Sequence, residues 1–327
     1  MPDRRERRLV LVVALVLLGA LVAIALALRH PSLPRRENPE WHPRADEIPD
    51  GGCVAAEPAS VDAGVGVRFA AIGDFGYAGP AEEAVADLVK AYRPDFIITL
   101  GDNNYPLGAA ETIDLNIGLF YHQYIAPYAG RFGCGAVHNH FFPALGNHDW
   151  MQPGARPYLD YFELPGNERY YDFVRGPVHL FALDSDPSEP DGNTADSAQA
   201  RWLHQALALS TAPWRIVYLH HAPYSSGPHG GTAALRWPFK QWGVDLVLAG
   251  HDHDYERFEI DGLPYVVNGL GGAVFYPVGR PVAGSVARYN ESAGALFVEA
   301  DEASLHARFQ TIDGRKIDEL SLAKAPR

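Results

Sequence analysis

The chain has 327 residues, of which 47% are apolar and 20% are charged, and its formal net charge is -13. These values exclude disordered, collagen-like and polytopic membrane proteins, and the acidic balance argues against nucleic acid as the main partner, because phosphate backbones require a basic surface. Two cysteines exclude a disulfide scaffold and a cysteine-based zinc cluster, whereas 14 histidines suggest metal binding or proton transfer.

Residues 1–30 have the pattern of a signal anchor. Four arginines among the first eight residues precede an apolar run from Leu9 to Leu28. Twenty residues at about 1.5 Å each span roughly the 30 Å hydrocarbon core, and the run exceeds the roughly 7–15 residues of a secretory signal. The arginines favour a cytoplasmic N-terminus. We predict an N-terminal transmembrane helix that holds an extracytoplasmic protein to the membrane, or a secreted protein if the segment is cleaved.

Residues 31–66 are rich in proline and charge, which is typical of an extended linker. From residue 67 onward, short apolar runs alternate with amphipathic stretches, which indicates one α/β domain with mixed sheets over residues 67–327. The predicted strands are Val67–Ile72, Phe96–Leu100, Phe141–Leu145, Ile216–Leu219 and Val244–Ala249. The predicted helices are Pro80–Tyr92, Ala195–Leu209 and Thr232–Trp242. Gly and Pro turns between alternating runs predict further strands from Phe258 to Leu320.

Each of these five predicted strands leads into a polar cluster. The clusters are Gly73-Asp74-Phe75-Gly76, Gly101-Asp102-Asn103-Asn104-Tyr105, Gly146-Asn147-His148-Asp149, Val217-Tyr218-Leu219-His220 and Gly250-His251-Asp252-His253. A single such cluster is more often a turn or a helix cap than a ligand. Ligand sites of open α/β sheets lie beyond the carboxyl ends of the strands, so the joint occurrence of five clusters predicts one site.

The ordered motifs GDxG, GDxxY, GNHD, VxxH and GHxH resemble those of the purple acid phosphatases. These are the tyrosine-containing, tartrate-resistant acid phosphatase-like branch of the calcineurin-like metallophosphoesterases, and the resemblance covers about residues 67–275. It implies a four-layer α/β/β/α sandwich with two mixed β-sheets. It also implies an exported, metal-dependent phosphomonoesterase in which a metal-bound hydroxide attacks the phosphate ester.

The resemblance further implies a centre of two metals. The implied ligands are Asp74, Asp102, Tyr105 and His253 for the first metal, and the shared Asp102 with Asn147, His220 and His251 for the second. A free tyrosine has a pKa near 10, so a phenolate ligand at neutral or acid pH requires a strong Lewis acid. We therefore expect Fe(III) as the first metal, and Fe(II), Zn(II) or Mn(II) as the second.

Two further histidines match family positions that bind substrate or donate a proton. His148 follows the ligand Asn147, and His229 lies in a loop that can fold over the site. We expect either to protonate the leaving alkoxide. Strand alternation predicts that the side chain of His221 points away from the site, and we expect it to support the ligands or to have a structural role. Asp149 and Asp252 are expected to orient the ligand histidines.

Two other functions remain open from the sequence. The same metal core hydrolyses diesters in related families, so a phosphodiesterase is the alternative, and a catalytically inactive binding module is a third hypothesis. We expect small-molecule phosphate esters as substrates, and we predict no protein partner. A disulfide between Cys53 and Cys134 would be favoured in an exported protein, but the sequence does not decide it.

Overall fold

A computed structural model of the chain describes residues 54–57 and 66–324. The predicted anchor, residues 1–30, and most of the predicted linker, residues 31–66, lie outside the described residues. Within the described part of the chain, no helix is both long enough and apolar enough to span a bilayer.

The first of two sheets combines parallel and antiparallel strands. Its strands are β1 (Val67–Ile72), β2 (Phe96–Thr99), β3 (Phe141–Pro143), β11 (Gly294–Ala300), β12 (Ser304–Thr311) and β13 (Lys316–Ala323). They lie in the order β13-β12-β11-β1-β2-β3. The pairs β1/β2 and β2/β3 are parallel, and the other pairs are antiparallel. The carboxyl ends of β1, β2 and β3 therefore meet at one edge of this sheet.

The second sheet has a parallel centre and antiparallel edges. Its strands are β4 (Tyr171–Arg175), β5 (Val178–Ala182), β6 (Trp214–Tyr218), β7 (Leu246–Ala249), β8 (Tyr255–Ile260), β9 (Leu263–Asn268) and β10 (Ser285–Tyr289). They lie in the order β10-β8-β9-β7-β6-β5-β4. Strands β5, β6, β7 and β9 run parallel. The structure thus confirms an α/β fold with two mixed sheets.

Aromatic side chains join the two sheets. The ring of Phe142 on β3 stacks on that of Phe173 on β4, with centroids 3.9 Å apart. The Tyr218 hydroxyl donates to the Phe142 carbonyl at 3.3 Å. At the other end, Tyr255 of β8 stacks on Phe309 of β12 at 4.4 Å. Because offset aromatic pairs bury large areas in a specific geometry, they fix the two sheets relative to each other.

Two long helices flank the sheets, and the remaining helices are short. The α-helices are α1 (Pro80–Tyr92), α2 (Ala110–Ile113), α3 (Leu119–Tyr121), α4 (Arg156–Tyr161) and α5 (Ala198–Leu209). A π turn, Asp114–Gly118, joins α2 to α3, and 3-10 turns cover His122–Tyr124, Asp149–Met151, Pro153–Ala155 and Ala233–Leu235. Helix α5 begins later than predicted because Ser197 caps it, accepting from the Ala200 amide at 3.0 Å.

The predicted helix Thr232–Trp242 is wrong. Only Ala233–Leu235 forms a 3-10 turn, and the rest of the segment lacks helical structure. Pro238 donates no backbone hydrogen bond, and it disfavours a helical conformation at Trp237. The apolar side chains of Leu235, Trp237 and Phe239 are all buried, so this segment reaches the core without forming a helix.

The carboxyl ends of the two parallel strand groups meet each other. The Asp74 amide, after β1, donates to the Gly101 carbonyl after β2 at 3.1 Å. The Gly250 amide, after β7, donates to the His220 carbonyl after β6 at 3.0 Å. A bond between His220 Nδ1 and the Leu100 carbonyl, 2.8 Å long, connects the two groups. Loops from both sheets therefore form one polar centre.

Candidate metal centre

The first group of donor atoms surrounds the Tyr105 hydroxyl. This oxygen lies 3.1 Å from Asp74 Oδ1, 2.8 Å from Asp102 Oδ2 and 3.1 Å from His253 Nε2. His253 Nε2 lies 3.3 Å from Asp74 Oδ1. Adjacent ligands of an ion with bonds of roughly 2.1 Å are about 3.0 Å apart, so these four side chains have the spacing of a coordination shell.

The second group surrounds His220 Nε2. This nitrogen lies 3.0 Å from Asn147 Oδ1, 3.1 Å from His251 Nδ1 and 3.4 Å from Asp102 Oδ1. Asp102 therefore offers one carboxylate oxygen to each group. One donor atom each from Asp74, Asp102 and His220 lies within 4.8 Å of the others, and all three side chains are buried. The structure thus brings together all seven side chains that the motifs singled out.

Backbone carbonyls orient two of the imidazoles. His220 Nδ1 lies 2.8 Å from the Leu100 carbonyl, and His253 Nδ1 lies 2.6 Å from the Val274 carbonyl. A carbonyl only accepts, so each Nδ1 carries the proton and each Nε2 presents its lone pair to the centre. This is the hydrogen-bonding pattern of metal-binding histidines.

The interpretation of Asp149 and Asp252 as partners of the ligand imidazoles is therefore corrected. Asp149 Oδ2 accepts from the Gly146 amide at 2.8 Å. Asp252 accepts from the Ser225 hydroxyl, and from the His229 amide at 3.0 Å. Both carboxylates brace the loops that carry functional side chains.

Three side chains of the centre come from left-handed backbone positions. Asp74, Asp102 and His251 have φ values of 55°, 54° and 74°. Such values are uncommon outside glycine and cost free energy, so the surrounding packing must hold them. Backbone amides also bind the carboxylates: that of His251 donates to Asp74 Oδ2 at 2.8 Å, and that of His148 donates to Asp102 Oδ1 at 2.9 Å.

The charges of the centre repel one another in the absence of a cation. Burial, followed by the charges of Asp74 and Asp149, raises the pKa of Asp102 well above its usual range. Burial and the carboxylates of Asp74 and Asp102 likewise raise the pKa of Tyr105. Burial lowers the pKa of His220, which keeps this imidazole neutral. Two cations would stabilise the anionic oxygens and accept the imidazole lone pairs, so the donor set fits a pair of transition metals.

The two candidate proton donors occupy different surroundings. The ring of His148 lies 4.4 Å from that of Tyr105, its Nδ1 is 2.6 Å from the Pro106 carbonyl, and its Nε2 is 3.9 Å from Asp102 Oδ2. The half-buried His148 thus directs Nε2 towards the centre. His229 is exposed, and its ring stacks on that of His251 at 4.2 Å.

The predicted orientation of His221 is wrong. Its ring lies 4.4 Å from that of His251, and its Nδ1 is 3.0 Å from the Ser185 hydroxyl. Strand β6 ends at Tyr218, so the alternation of a strand does not extend to His221. His221 lies beside the centre.

Asn116 and Tyr276 also contact residues of the centre, although the sequence did not predict it. The buried Asn116 amide lies in the π turn; its nitrogen donates to the Tyr105 carbonyl and to Asn104 Oδ1, both at 2.9 Å, and its oxygen accepts from the Ala78 amide at 3.1 Å. The Tyr276 ring stacks on that of His253 at 4.1 Å. Neither residue belongs to a motif, and no local signal distinguishes them.

Comparison with known proteins places this centre among phosphoesterases. The model of the calcineurin-like phosphoesterase family matches residues 67–255. The chain is 29% identical to purple acid phosphatase 17 of Arabidopsis thaliana, over 66% of the chain and 70% of that protein. The fold is similar to purple acid phosphatase PPD1 from yellow lupin (TM-score 0.65, 17% identity), over 82% of this chain and 55% of that one. It is also similar to GAP50, the anchor in the inner membrane complex of Plasmodium (TM-score 0.63, 19% identity), over 80% of this chain and 90% of that one.

A substitution at Gly101 tests how closely the backbone approaches the second donor group. Its φ is 87°, and a Cβ there would lie 2.5 Å from His220 Nδ1. We expect Gly101→Ala to displace the His220 ring and to weaken metal binding at least tenfold, measured by metal titration of the apoprotein. Gly262 has a φ of 72° with open space around it, so Gly262→Ala is the matched control for backbone strain alone. Equal metal affinities in the two variants would contradict this account.

A substitution at Asn116 tests whether its side chain holds the loop of Tyr105 in place. Asn116→Leu leaves buried polar groups without partners, so we expect a loss of about 2–4 kcal/mol in the free energy of unfolding and weaker metal binding. Asn139→Leu is the control, since Asn139 also bridges two backbone groups, the Ala126 amide and the Phe141 carbonyl. Urea unfolding and metal titration should show that both variants are destabilised, but that only Asn116→Leu binds metal less tightly.

Proposed function

Because the chain belongs to the calcineurin-like phosphoesterase family and is a phosphoric ester hydrolase, we propose that it hydrolyses small-molecule phosphate monoesters at a centre of two metal ions. The observation that carries this proposal is the pair of donor groups that share Asp102, with oxygens 2.8 Å from Tyr105 and 3.4 Å from His220. A shared carboxylate is what two neighbouring cations require between them.

The residues of the site have three different roles: metal binding, proton donation and contact with the substrate. The first donor group would hold one ion and the second would hold the other, and two bound cations supply Lewis acidity and the charge that neutralises phosphoryl oxygens. His148 Nδ1 donates to the Pro106 carbonyl, so it is the imidazolium form that carries a second proton on Nε2 and gives this proton to the departing alkoxide. The exposed His229, whose loop Asp252 holds, would contact the bound ester.

Tyr105 supports iron in the first position. Its hydroxyl is buried and lies within 3.1 Å of two carboxylate oxygens, and burial and these charges both raise its pKa. Only a strongly acidic cation would keep this phenol ionised at neutral or acid pH, so we propose Fe(III) there, with Fe(II), Zn(II) or Mn(II) in the second position.

The donor atoms, rather than the fold, support catalysis. The fold is shared with GAP50, an anchor protein, so architecture alone does not imply hydrolysis. An anchor does not require buried oxygen and nitrogen donors with the spacing of two coordination shells. Complete donor groups therefore favour an enzyme over a binding module.

We further propose a layer order for the domain and an extracytoplasmic location for the protein. The four layers would follow the order α/β/β/α, and one N-terminal helix would hold the enzyme to the membrane on its extracytoplasmic side, unless cleavage releases it. Cys134 is disulfide-bonded, which fits an oxidising compartment, while Cys53 lies outside the described residues.

The variant Tyr105→Phe tests whether iron is bound through the phenolate of Tyr105. The aerobically purified protein should contain iron and absorb visible light through charge transfer from the tyrosinate. Tyr105→Phe should lose this band because the phenolate is the light-absorbing ligand, whereas Tyr158→Phe, a buried tyrosine that donates to the Pro143 carbonyl, should keep it. An active, colourless protein without iron would refute the metal assignment.

The proposed reaction is tested by measuring the rates of hydrolysis of a monoester and a diester of one chromogenic alcohol. The metal content of each variant is measured alongside. We expect the monoester to be preferred, Asp102→Asn to lose both metals and turnover, and His148→Ala to keep its metals but lose about 10²–10⁴-fold in rate. His306→Ala, on β12, is the control that retains both. A preference for the diester would instead establish a phosphodiesterase, and an unchanged His148→Ala rate would exclude its acid role.

A further inference from the structure

Exposed apolar side chains are concentrated on the loops that carry the metal centre. In the part of the chain that the structure describes, six of the twelve large apolar side chains exposed to solvent lie there, at 36–65% exposure. We name five of these side chains the apolar rim: Tyr77, Leu107, Met151, Val274 and Phe275. The sixth, Val282, lies farther along the loop of Val274 and Phe275, and the other six are distributed over the rest of the described residues.

Two loops of the apolar rim contact each other beside His148. The Met151 amide lies 3.3 Å from the His148 carbonyl. The side-chain amide of Gln152 donates to the Leu107 carbonyl at 2.9 Å. Leu107 and Met151 therefore lie on adjoining loops, and the polar neighbour Gln152 uses its amide to join them.

The remaining rim residues are attached to the first donor group. The Tyr105 amide donates to the Gly76 carbonyl at 2.8 Å, which places Tyr77 next to that ligand loop. The Val274 carbonyl accepts from His253 Nδ1 at 2.6 Å, and the Ala273 amide donates to the Asp74 carbonyl at 3.0 Å. The apolar rim thus belongs to the loops that hold both the metal ligands and His148.

Single exposed apolar residues are normal, but a group of them at a polar site marks a binding surface. The metal centre would bind the phosphoryl group, and the rim lies on the loops that carry its ligands, so the rim would adjoin the other part of the ester, the alcohol. A sugar or nucleoside would require several hydrogen-bonding partners, whereas Tyr77 is the one rim side chain with a hydroxyl group and the other four offer contact area. The chemistry of the rim therefore matches an apolar alcohol.

We propose that the apolar rim binds the alcohol portion of the substrate, so that the enzyme prefers phosphate monoesters of apolar alcohols. This inference rests on the proposed function. In the reaction, a water oxygen bonds to phosphorus, the bond between phosphorus and the alcohol oxygen breaks, and that oxygen takes a proton. The products are inorganic phosphate and the apolar alcohol.

Methyl, butyl and octyl phosphate test the proposal, because their alcohols differ in apolar length but little in acidity. Phosphate release by the metal-loaded full-length protein, with octyl phosphate kept below its micelle concentration, gives kcat/KM for each. We expect kcat/KM to rise about two- to fourfold for each methylene that the rim covers. Phenyl and benzyl phosphate form a second arm, which shows whether aromatic alcohols are accepted as well as alkyl chains.

Leu107→Ser and Met151→Ser should reduce the ratio of octyl to methyl kcat/KM at least fivefold. Leu209→Ser on α5 and Val286→Ser on β10 are matched controls, since both side chains are exposed elsewhere, and they should keep the wild-type ratio. A wild-type ratio near one, or a ratio that the rim variants leave unchanged, would overturn the proposal. If the protein releases phosphate from none of these esters, the proposed function itself is refuted.

Discussion

The carboxylate of Asp102 is the group on which the rest of the centre depends. It is almost fully buried, it has a left-handed backbone, and its two oxygens face different donor groups. No other described side chain links Tyr105 to His220 in this way. To hold two cations around one carboxylate, the protein must bring loops from both sheets within a few ångströms of each other. The parallel strands achieve this because their carboxyl ends meet.

The fold tolerates buried charge here because other groups are arranged around it. The amides of His148 and His251 bind the carboxylates, and carbonyls fix the imidazoles of His220 and His253. These contacts orient the donors but do not neutralise them. Cations would complete the site, which also explains how an acidic chain can act on anionic esters: the local charge at the metals, and not the net charge, meets the phosphate.

Loops outside the motifs complete the centre. The segment around Val274 binds both Asp74 and His253 through its backbone, and Asn116 in the π turn supports the Tyr105 loop. The same fold occurs in an anchor protein and in a purple acid phosphatase, so the two sheets alone do not decide what the centre does.

The sequence by itself predicted the five strands that lead into the motifs and singled out the side chains of the two donor groups, but it did not predict strands β4 and β5. The apolar runs predicted strand β1 and helix α1 at their observed bounds, and the ordered motifs singled out every side chain of the two donor groups. These features are local: periodicity and residue type are visible within a few positions. Only the tertiary structure decided the direction of His221, the loop-bracing roles of Asp149 and Asp252 and the contribution of Asn116, because their contacts are with groups distant in the chain. The absence of a helix around Pro238 has a local cause instead, since proline lacks the amide hydrogen that a helix uses.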